Sequence, residues 1–136
     1  MGSRDLKTER LRMTLDQLEG IEWGPPEADT HLVRTCHRLR KVPIGEFGVE
    51  DLRTMIGQGI GLFFLVPVAL DVLARDPLAE GDFYPGDLLS SVLRSDPSFW
   101  DARADLRSQV DHILVRMPEI PDELAEAVVH WSRCTA

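Results

Sequence analysis

The side chains best able to bind a metal ion are scattered along the chain. They are His31, His37, His112, His130, Cys36 and Cys134. No two histidines are four residues apart and no HExxH sequence occurs, so the spacing of a helical zinc site is missing. The adjacent Cys36 and His37 would point about 100° apart on a helix, which suits one ion poorly. We therefore expect no metal ion and no other cofactor.

The sequence also lacks the patterns that activate a nucleophile or cradle a phosphate. It contains no GxSxG segment, and no serine or cysteine has a base at a recognisable spacing. The segment GQGIG, from Gly57 to Gly61, matches neither GxGxxG nor a P-loop, and no lysine follows it. Its glycines favour a helix end and a close backbone approach instead. We expect this protein not to be an enzyme.

One acidic stretch could act in recognition. It reads DPLAEGDFYPGDLL and runs from Asp76 to Leu89. Its acids lack the spacing of a calcium loop, and its prolines and glycines restrict the backbone. The residues of interest in it are Glu80, Asp82, Phe83, Tyr84 and Asp87.

This stretch admits two interpretations. As a scaffold, it would end one helix at Asp76 and begin the next at Tyr84-Pro85, with Asp87 in the first turn, where the helix dipole favours a negative charge. Phe83 or Tyr84 would then anchor the loop by burying its ring. As a contact, the same residues would present an acidic surface with an aromatic hot spot to a partner.

Acidic residues concentrate in the second half of the chain. The sequence carries 23 Asp and Glu against 15 Lys and Arg, a formal net charge of −8. Residues 1–68 hold 10 acidic and 9 basic residues, whereas residues 69–136 hold 13 and 6. This excess repels phosphate backbones, so we expect no direct binding to nucleic acid and a cationic protein as the natural partner. We expect the basic segment from Arg34 to Lys41 to pair with the acidic half or to face solvent.

Apolar residues recur at helical spacing, and prolines separate the segments. The predicted helices are Arg4 to Glu19, Asp29 or Thr30 to Lys41, Val49 to Gln58, Pro67 to Arg75, Pro85 to Ser95, Pro97 to Met117 and Pro121 to Cys134. Thr14 and Gln17 could instead form a capping box for a shorter first helix, and the sixth helix could be interrupted near Arg103. Trp23 is expected to anchor the loop after the first helix, and Leu32 to face inward.

These elements predict an all-α fold, a single-domain helical bundle of about six to seven helices spanning residues 1–136. No alternation of apolar and polar residues is long enough for a strand. The charged start of the sequence and the short apolar run from Ile60 to Leu70 favour a cytoplasmic protein without contact to a membrane. Two widely separated cysteines are expected to remain reduced there.

The central motifs together resemble the immunity proteins of bacterial contact-dependent growth inhibition (CDI) systems. The most specific pieces are VEDLRTMIGQ (Val49 to Gln58), LVPVAL (Leu65 to Leu70) and DPLAEGDFYPGDLL, flanked by WGPP (Trp23 to Pro26). The likeness covers roughly residues 23–100. It implies a small cytoplasmic protein, made beside a toxin, that binds the toxin's C-terminal domain and blocks it. Such delivered domains are commonly nucleases with basic substrate grooves.

The resemblance favours the scaffold interpretation of the acidic stretch, because specificity should lie where family members differ. The wider acidic surface of residues 69–136 is the predicted contact region. The residues that we assign to partner contact are Asp71, Glu80, Asp82, Tyr84 and Asp87. The alternative function is a helical protein-interaction or regulatory module without a toxin partner, for which a homodimer is one form.

Overall fold

The computed structural model describes residues 3–135, with side chains from residue 7 to residue 134. Within this range the chain forms nine α-helices and no strand, which confirms the all-α prediction. The helices are α1 Ser3–Leu11, α2 Leu15–Glu19, α3 His31–Leu39, α4 Val49–Gly57, α5 Leu62–Arg75, α6 Asp87–Leu93, α7 Pro97–Ala102, α8 Ala104–Arg116 and α9 Ala125–Thr135. Two 3-10 turns, Ile44–Glu46 and Asp122–Leu124, complete the described part.

The buried apolar residues form one cluster centred on α4, α5 and α6. Helix α5 is the longest and contributes Leu65, Val66, Ala69, Leu70 and Leu73. Helix α4 packs on both α5 and α6, while α8 packs on α5 and α9 on α6. Burying a leucine side chain contributes roughly 1.5–3 kcal/mol, so this apolar stripe is what holds the helices together.

The first predicted helix is divided in two, as the capping residues allow. The side chain of Thr14 accepts a hydrogen bond from the Gln17 amide at 3.2 Å, and the Gln17 side chain accepts one from the Thr14 amide at 3.0 Å. This reciprocal pair satisfies two N–H groups that would otherwise lack partners at a helix start. The shorter helix is therefore α2, and Gly20 ends it in the left-handed conformation.

The prediction that Pro67 lies in the first turn of its helix is wrong. Helix α5 begins at Leu62, after Gly61 turns the chain with a φ of 66°. Pro67 therefore lies inside the helix, where it has no N–H to donate to the carbonyl of Phe63. Leu65 and Val66, which directly precede Pro67, are fully buried and supply packing that offsets the lost bond.

The other helices differ from the predictions mainly at their ends. The expected interruption near Arg103 is present, between α7 and α8. Helix α6 begins at Asp87 rather than Pro85, and a 3-10 turn precedes α9 after Pro121. Leu32 does not face inward, since 42% of its surface is exposed. No helix in residues 3–135 has the length and apolar character that crossing a membrane requires.

Candidate partner-binding surface

The acidic stretch forms a closed loop between α5 and α6, which we call the acidic loop, residues 76–86. Asp76 ends α5, and its carboxylate accepts a hydrogen bond from the Leu78 amide at 3.2 Å. A single antiparallel bridge pairs Glu80 with Pro85. The Gly86 amide then donates to the Leu78 carbonyl at 3.2 Å, so the two ends of the loop meet.

Two carboxylates from outside the loop hold its tip. Asp87, the first residue of α6, accepts hydrogen bonds from the amides of Gly81 at 2.7 Å and Phe83 at 3.0 Å. Glu50, on α4, accepts one from the Asp82 amide at 2.9 Å. Three successive backbone N–H groups thus donate inward to fixed acceptors. The tip is rigid because each of these bonds would have to break before the backbone could move.

Arg53 connects the two carboxylates. Its guanidinium donates to Glu50 through Nε at 2.6 Å and through the terminal nitrogen at 2.5 Å, a bidentate pair. Its Nε also lies 4.0 Å from the carboxylate of Asp87. The hydrogen bonds from Arg53 lower the pKa of Glu50 below its usual value and outweigh the effect of burial. Glu50 therefore stays ionised as an acceptor for the loop.

Glycine is required where the loop approaches these groups. A side-chain carbon at Gly81 would collide with the Glu50 carboxylate and lie 3.0 Å from that of Asp87. Gly86 has a φ of 93°, and a side-chain carbon there would lie 2.8 Å from Leu124. The motif segments VEDLRTMIGQ and DPLAEGDFYPGDLL thus meet in space, joined by Glu50, Arg53 and Asp87.

The structure separates the predicted contact residues into exposed and buried ones. Glu80 and Asp82 are exposed on the acidic loop, and Tyr84 is half-buried. Asp87 is only 3% exposed, and its carboxylate is occupied by the loop, so it lies in the first turn of α6 as predicted but faces inward. Asp71 lies on α5, where it pairs with Lys7.

The aromatic pair is arranged differently from the expected buried anchor. The Phe83 side chain is 67% exposed, with the Arg53 guanidinium 4.4 Å from its ring centroid. Neither ring of the pair is fully buried, and carboxylates rather than a plugged ring fix the loop. The sequence did not reveal that carboxylates hold the loop, because Glu50 lies 32 residues from its partner Asp82.

An acid-rimmed groove of about 810 Å³ lies beside the acidic loop, between the end of α5 and the segment that follows α8. Half-buried Leu78, Met117 and Ile120 line it with apolar surface. Its charged lining residues are Asp76, Glu119, Asp122, Glu123, Arg75 and Arg116. Acids outnumber bases here, which suits a partner that combines apolar and cationic side chains.

A second ionic cluster holds the N-terminal segment. In the basic segment from Arg34 to Lys41 the other arginine and lysine residues are exposed, as one of the two expectations had it, but Arg40 is buried. Arg40 is 1% exposed and pairs with Asp16 at 2.8 Å and Glu19 at 2.5 Å. Lys41 also pairs with Asp16, at 2.6 Å. The acids that pair with Arg40 and Lys41 thus come from the first half of the chain, not from the acidic second half.

Trp23 anchors its loop through the same cluster, as predicted. The Arg40 guanidinium lies 4.4 Å from the Trp23 ring centroid, and Lys41 donates to the Trp23 carbonyl at 3.2 Å. The ring of His37 meets the tryptophan edge-on at 4.9 Å. The WGPP motif is thereby fixed against α3.

Asp16 and Glu50 are the carboxylates at the centres of the N-terminal ionic cluster and of the cluster that holds the acidic loop. Their pKa values predict that the folded protein loses stability in acid. Burial raises the pKa of Asp16, but hydrogen bonds from Lys41 and Arg40 and their charges lower it by more, to below its usual value. The pKa of Glu50 is lowered as well. A carboxylate whose pKa is lower in the folded state stabilises the fold above its unfolded pKa and loses that contribution as the pH falls through its folded pKa.

We therefore expect the urea midpoint to fall as the pH drops below about 4. The Asp16→Asn variant should show a shallower fall, and equal pH profiles for the two proteins would contradict this assignment.

The histidines and cysteines form no ion-binding group. Cys36 is buried, and burial raises the pKa of its thiol. Cys134 is exposed, with its sulfur 3.6 Å from Nε2 of His130. Among the residues whose side chains are described, no three His, Cys, Asp or Glu residues lie close enough to hold a metal ion together.

Comparison with known proteins gave one informative match. A family model described as CDI immunity proteins matches residues 4–110 of the chain, which is well over half its length. The match includes the segments VEDLRTMIGQ and DPLAEGDFYPGDLL, which Glu50, Arg53 and Asp87 join. The groove wall formed by residues 113–123 lies beyond it. A search of curated proteins gave no match.

Proposed function

We propose that this chain, which belongs to the family of CDI immunity proteins, neutralises its toxin by binding the toxin's C-terminal domain in the cytoplasm as a stoichiometric complex. Family membership carries the toxin-neutralising role. The rigid acidic loop carries the proposed mode of action, because it displays Glu80 and Asp82 on a backbone that is already fixed before binding. Preorganisation of this kind lowers the entropy lost on association.

The charge pattern supports a cationic partner, and we propose a nuclease domain. Enzymes that act on nucleic acid bind phosphates with Lys and Arg, so their substrate grooves are positively charged. The exposed carboxylates of Glu80 and Asp82 match phosphate oxygens as acceptors for those side chains. The acid-rimmed groove extends the same negative surface. The proposed block is therefore occupation of the toxin's groove or of the surface beside it.

We assign Glu80 and Asp82 to direct contact and Tyr84 to the edge of the same surface. Asp71 would contribute only at the margin, since Lys7 already pairs with it. Asp87 is reassigned to the scaffold, because its carboxylate binds loop amides and has almost no exposed surface. The complex itself makes or breaks no covalent bond.

Growth protection tests the proposed function. Cells that express the toxin domain encoded beside this protein should grow when the protein is co-expressed and should stop growing with an empty vector. A variant that keeps the fold but carries Glu80→Lys and Asp82→Lys should protect less at equal expression. Growth arrest in the presence of the wild-type protein would contradict the proposal.

The association rate should depend strongly on salt. Electrostatic steering raises association rates by about 10- to 1000-fold and is screened as the Debye length shrinks from about 30 Å at 0.01 M to about 3 Å at 1 M. Stopped-flow mixing with the toxin domain should therefore show at least a tenfold slower association at high salt, by the lower bound of that range.

A matched pair of variants locates the steering surface. The double variant Glu80→Lys, Asp82→Lys should lose most of the salt dependence. The control Glu22→Lys, Glu27→Lys changes net charge equally at exposed positions in the first half and should keep it. Equal effects of the two variants would show that net charge alone, not the acidic loop, steers the encounter.

A further inference from the structure

We propose that Phe83 is the aromatic anchor of the toxin complex and inserts into an apolar cleft of the partner that is flanked by Lys or Arg. This inference rests on the proposed function and names the side chain that holds the complex together. The observation behind it is the exposure of the ring. Phe83 is 67% accessible, more than the other exposed phenylalanine of the described residues, Phe63, which is 49% accessible.

The fold does not need the Phe83 ring. Phe83 is neither among the buried core residues nor among the partly buried ones that pack against them. The loop is held by backbone bonds to Asp87 and Glu50, which any residue other than proline at position 83 would allow. The ring is thus free to serve a partner, and phenylalanine is one of the aromatic residues enriched at the cores of protein–protein interfaces.

The ring is nevertheless held in one place. The guanidinium of Arg53 lies 4.4 Å from the ring centroid, and Glu50 fixes that guanidinium with two hydrogen bonds. The amide of Phe83 itself donates to Asp87 at 3.0 Å. Backbone and ring are therefore both positioned before the partner arrives, so little conformational entropy remains to be lost on binding.

The neighbouring charges define the cleft that would receive the ring. Asp82 precedes Phe83, Glu80 pairs with Pro85 across the loop, and both acids are exposed. An apolar cleft alone would leave these carboxylates facing apolar surface, which is costly. A cleft with cationic side chains at its rim satisfies the carboxylates and accepts the ring. Hot spots have this form, an aromatic residue at the centre with polar groups around it.

Kinetic measurements with the toxin domain separate this anchor from charge steering. Loss of a buried aromatic contact should act on dissociation, whereas loss of rim charge acts on association and its salt dependence. We expect Phe83→Ala to weaken binding by about thirtyfold or more, the lower limit for a hot spot, through faster dissociation. Its association rate should keep the salt dependence of the wild type.

Phe63→Ala is the matched control. Phe63 is also an exposed aromatic residue, 49% accessible, with the guanidinium of Arg103 at 5.0 Å from its ring. Phe63 lies on α5, away from the acidic loop. Its replacement by alanine should change affinity by less than about threefold, because most alanine substitutions outside a hot spot have small effects on binding. Thermal unfolding should show that both variants keep the wild-type fold.

The outcomes distinguish the two proposals. If the wild-type protein binds the toxin domain and Phe83→Ala binds equally well, the anchor is wrong and the proposed function stands. If Phe63→Ala is as damaging as Phe83→Ala, the assignment to the acidic loop is wrong. If the wild-type protein does not bind, the proposed function and the anchor fall together.

Discussion

Arg40→Ala should destabilise the protein by about 3–5 kcal/mol, the cost of breaking a buried ion pair by removing one partner. The Arg40 side chain is 1% exposed and pairs with Asp16 and Glu19, and it also donates to the Ile21 carbonyl at 3.3 Å. Removing it leaves the Asp16 carboxylate, which is 10% exposed, with Lys41 alone. It also removes the cation that lies over Trp23.

Urea unfolding of the variant measures this loss directly. The control is Arg38→Ala in the last turn of α3, two residues before Arg40, an exposed position where the change should stay within about 0.5 kcal/mol. If the urea midpoint of Arg40→Ala equals that of the wild type, the ionic cluster that joins α2, α3 and the Trp23 loop contributes little to stability. The two variants remove the same charge, so net charge cannot account for a difference between them.

Asp87→Ala should cost about 2–4 kcal/mol and should also abolish tight toxin binding. The substitution leaves the amides of Gly81 and Phe83 without their acceptor, and an unsatisfied buried donor costs roughly 1–3 kcal/mol. It also removes a carboxylate 4.0 Å from Arg53. The loop would lose its fixed shape, so affinity should fall although Asp87 itself does not reach the partner.

Asp82→Ala provides the contrast for this prediction. Its side chain is exposed and its backbone amide still donates to Glu50, so the free energy of unfolding should change by less than about 0.5 kcal/mol. Its affinity for the toxin domain should still fall, because a contact carboxylate is lost. Calorimetric unfolding and binding titrations on both variants check the pair. A stable, tightly binding Asp87→Ala protein would contradict the role of the loop scaffold.

Local sequence signals predict the helices well because they act over a few residues. The proline at position 97, the cap at Thr14 and the apolar stripe of α4 each describe a single turn or face. Pro67 shows the limit of such reasoning. Packing of Leu65 and Val66 into the core overrides the local preference of proline for a helix start.

The sequence could not predict how the acidic loop is held. The side chains that hold it come from α4 and α6, and the Glu50–Asp82 bond spans 32 positions. Periodicity gives the face of a helix but not which distant carboxylate meets which amide. The sequence likewise pointed to Tyr84 as the aromatic contact, whereas Phe83 is the exposed ring. Adjacent loop residues cannot be assigned to solvent or protein without the path of the backbone.

Titration of toxin activity with the purified protein tests the central claim most directly. A fixed amount of toxin domain is mixed with increasing amounts of this protein, and cleavage of nucleic acid, the activity proposed for the toxin, is followed. Stoichiometric inhibition by a preformed acidic surface predicts a linear loss of activity that reaches background when the two proteins are equimolar. Full toxin activity at a large excess of the protein, or complete inhibition at a small fraction of the toxin concentration, would contradict it.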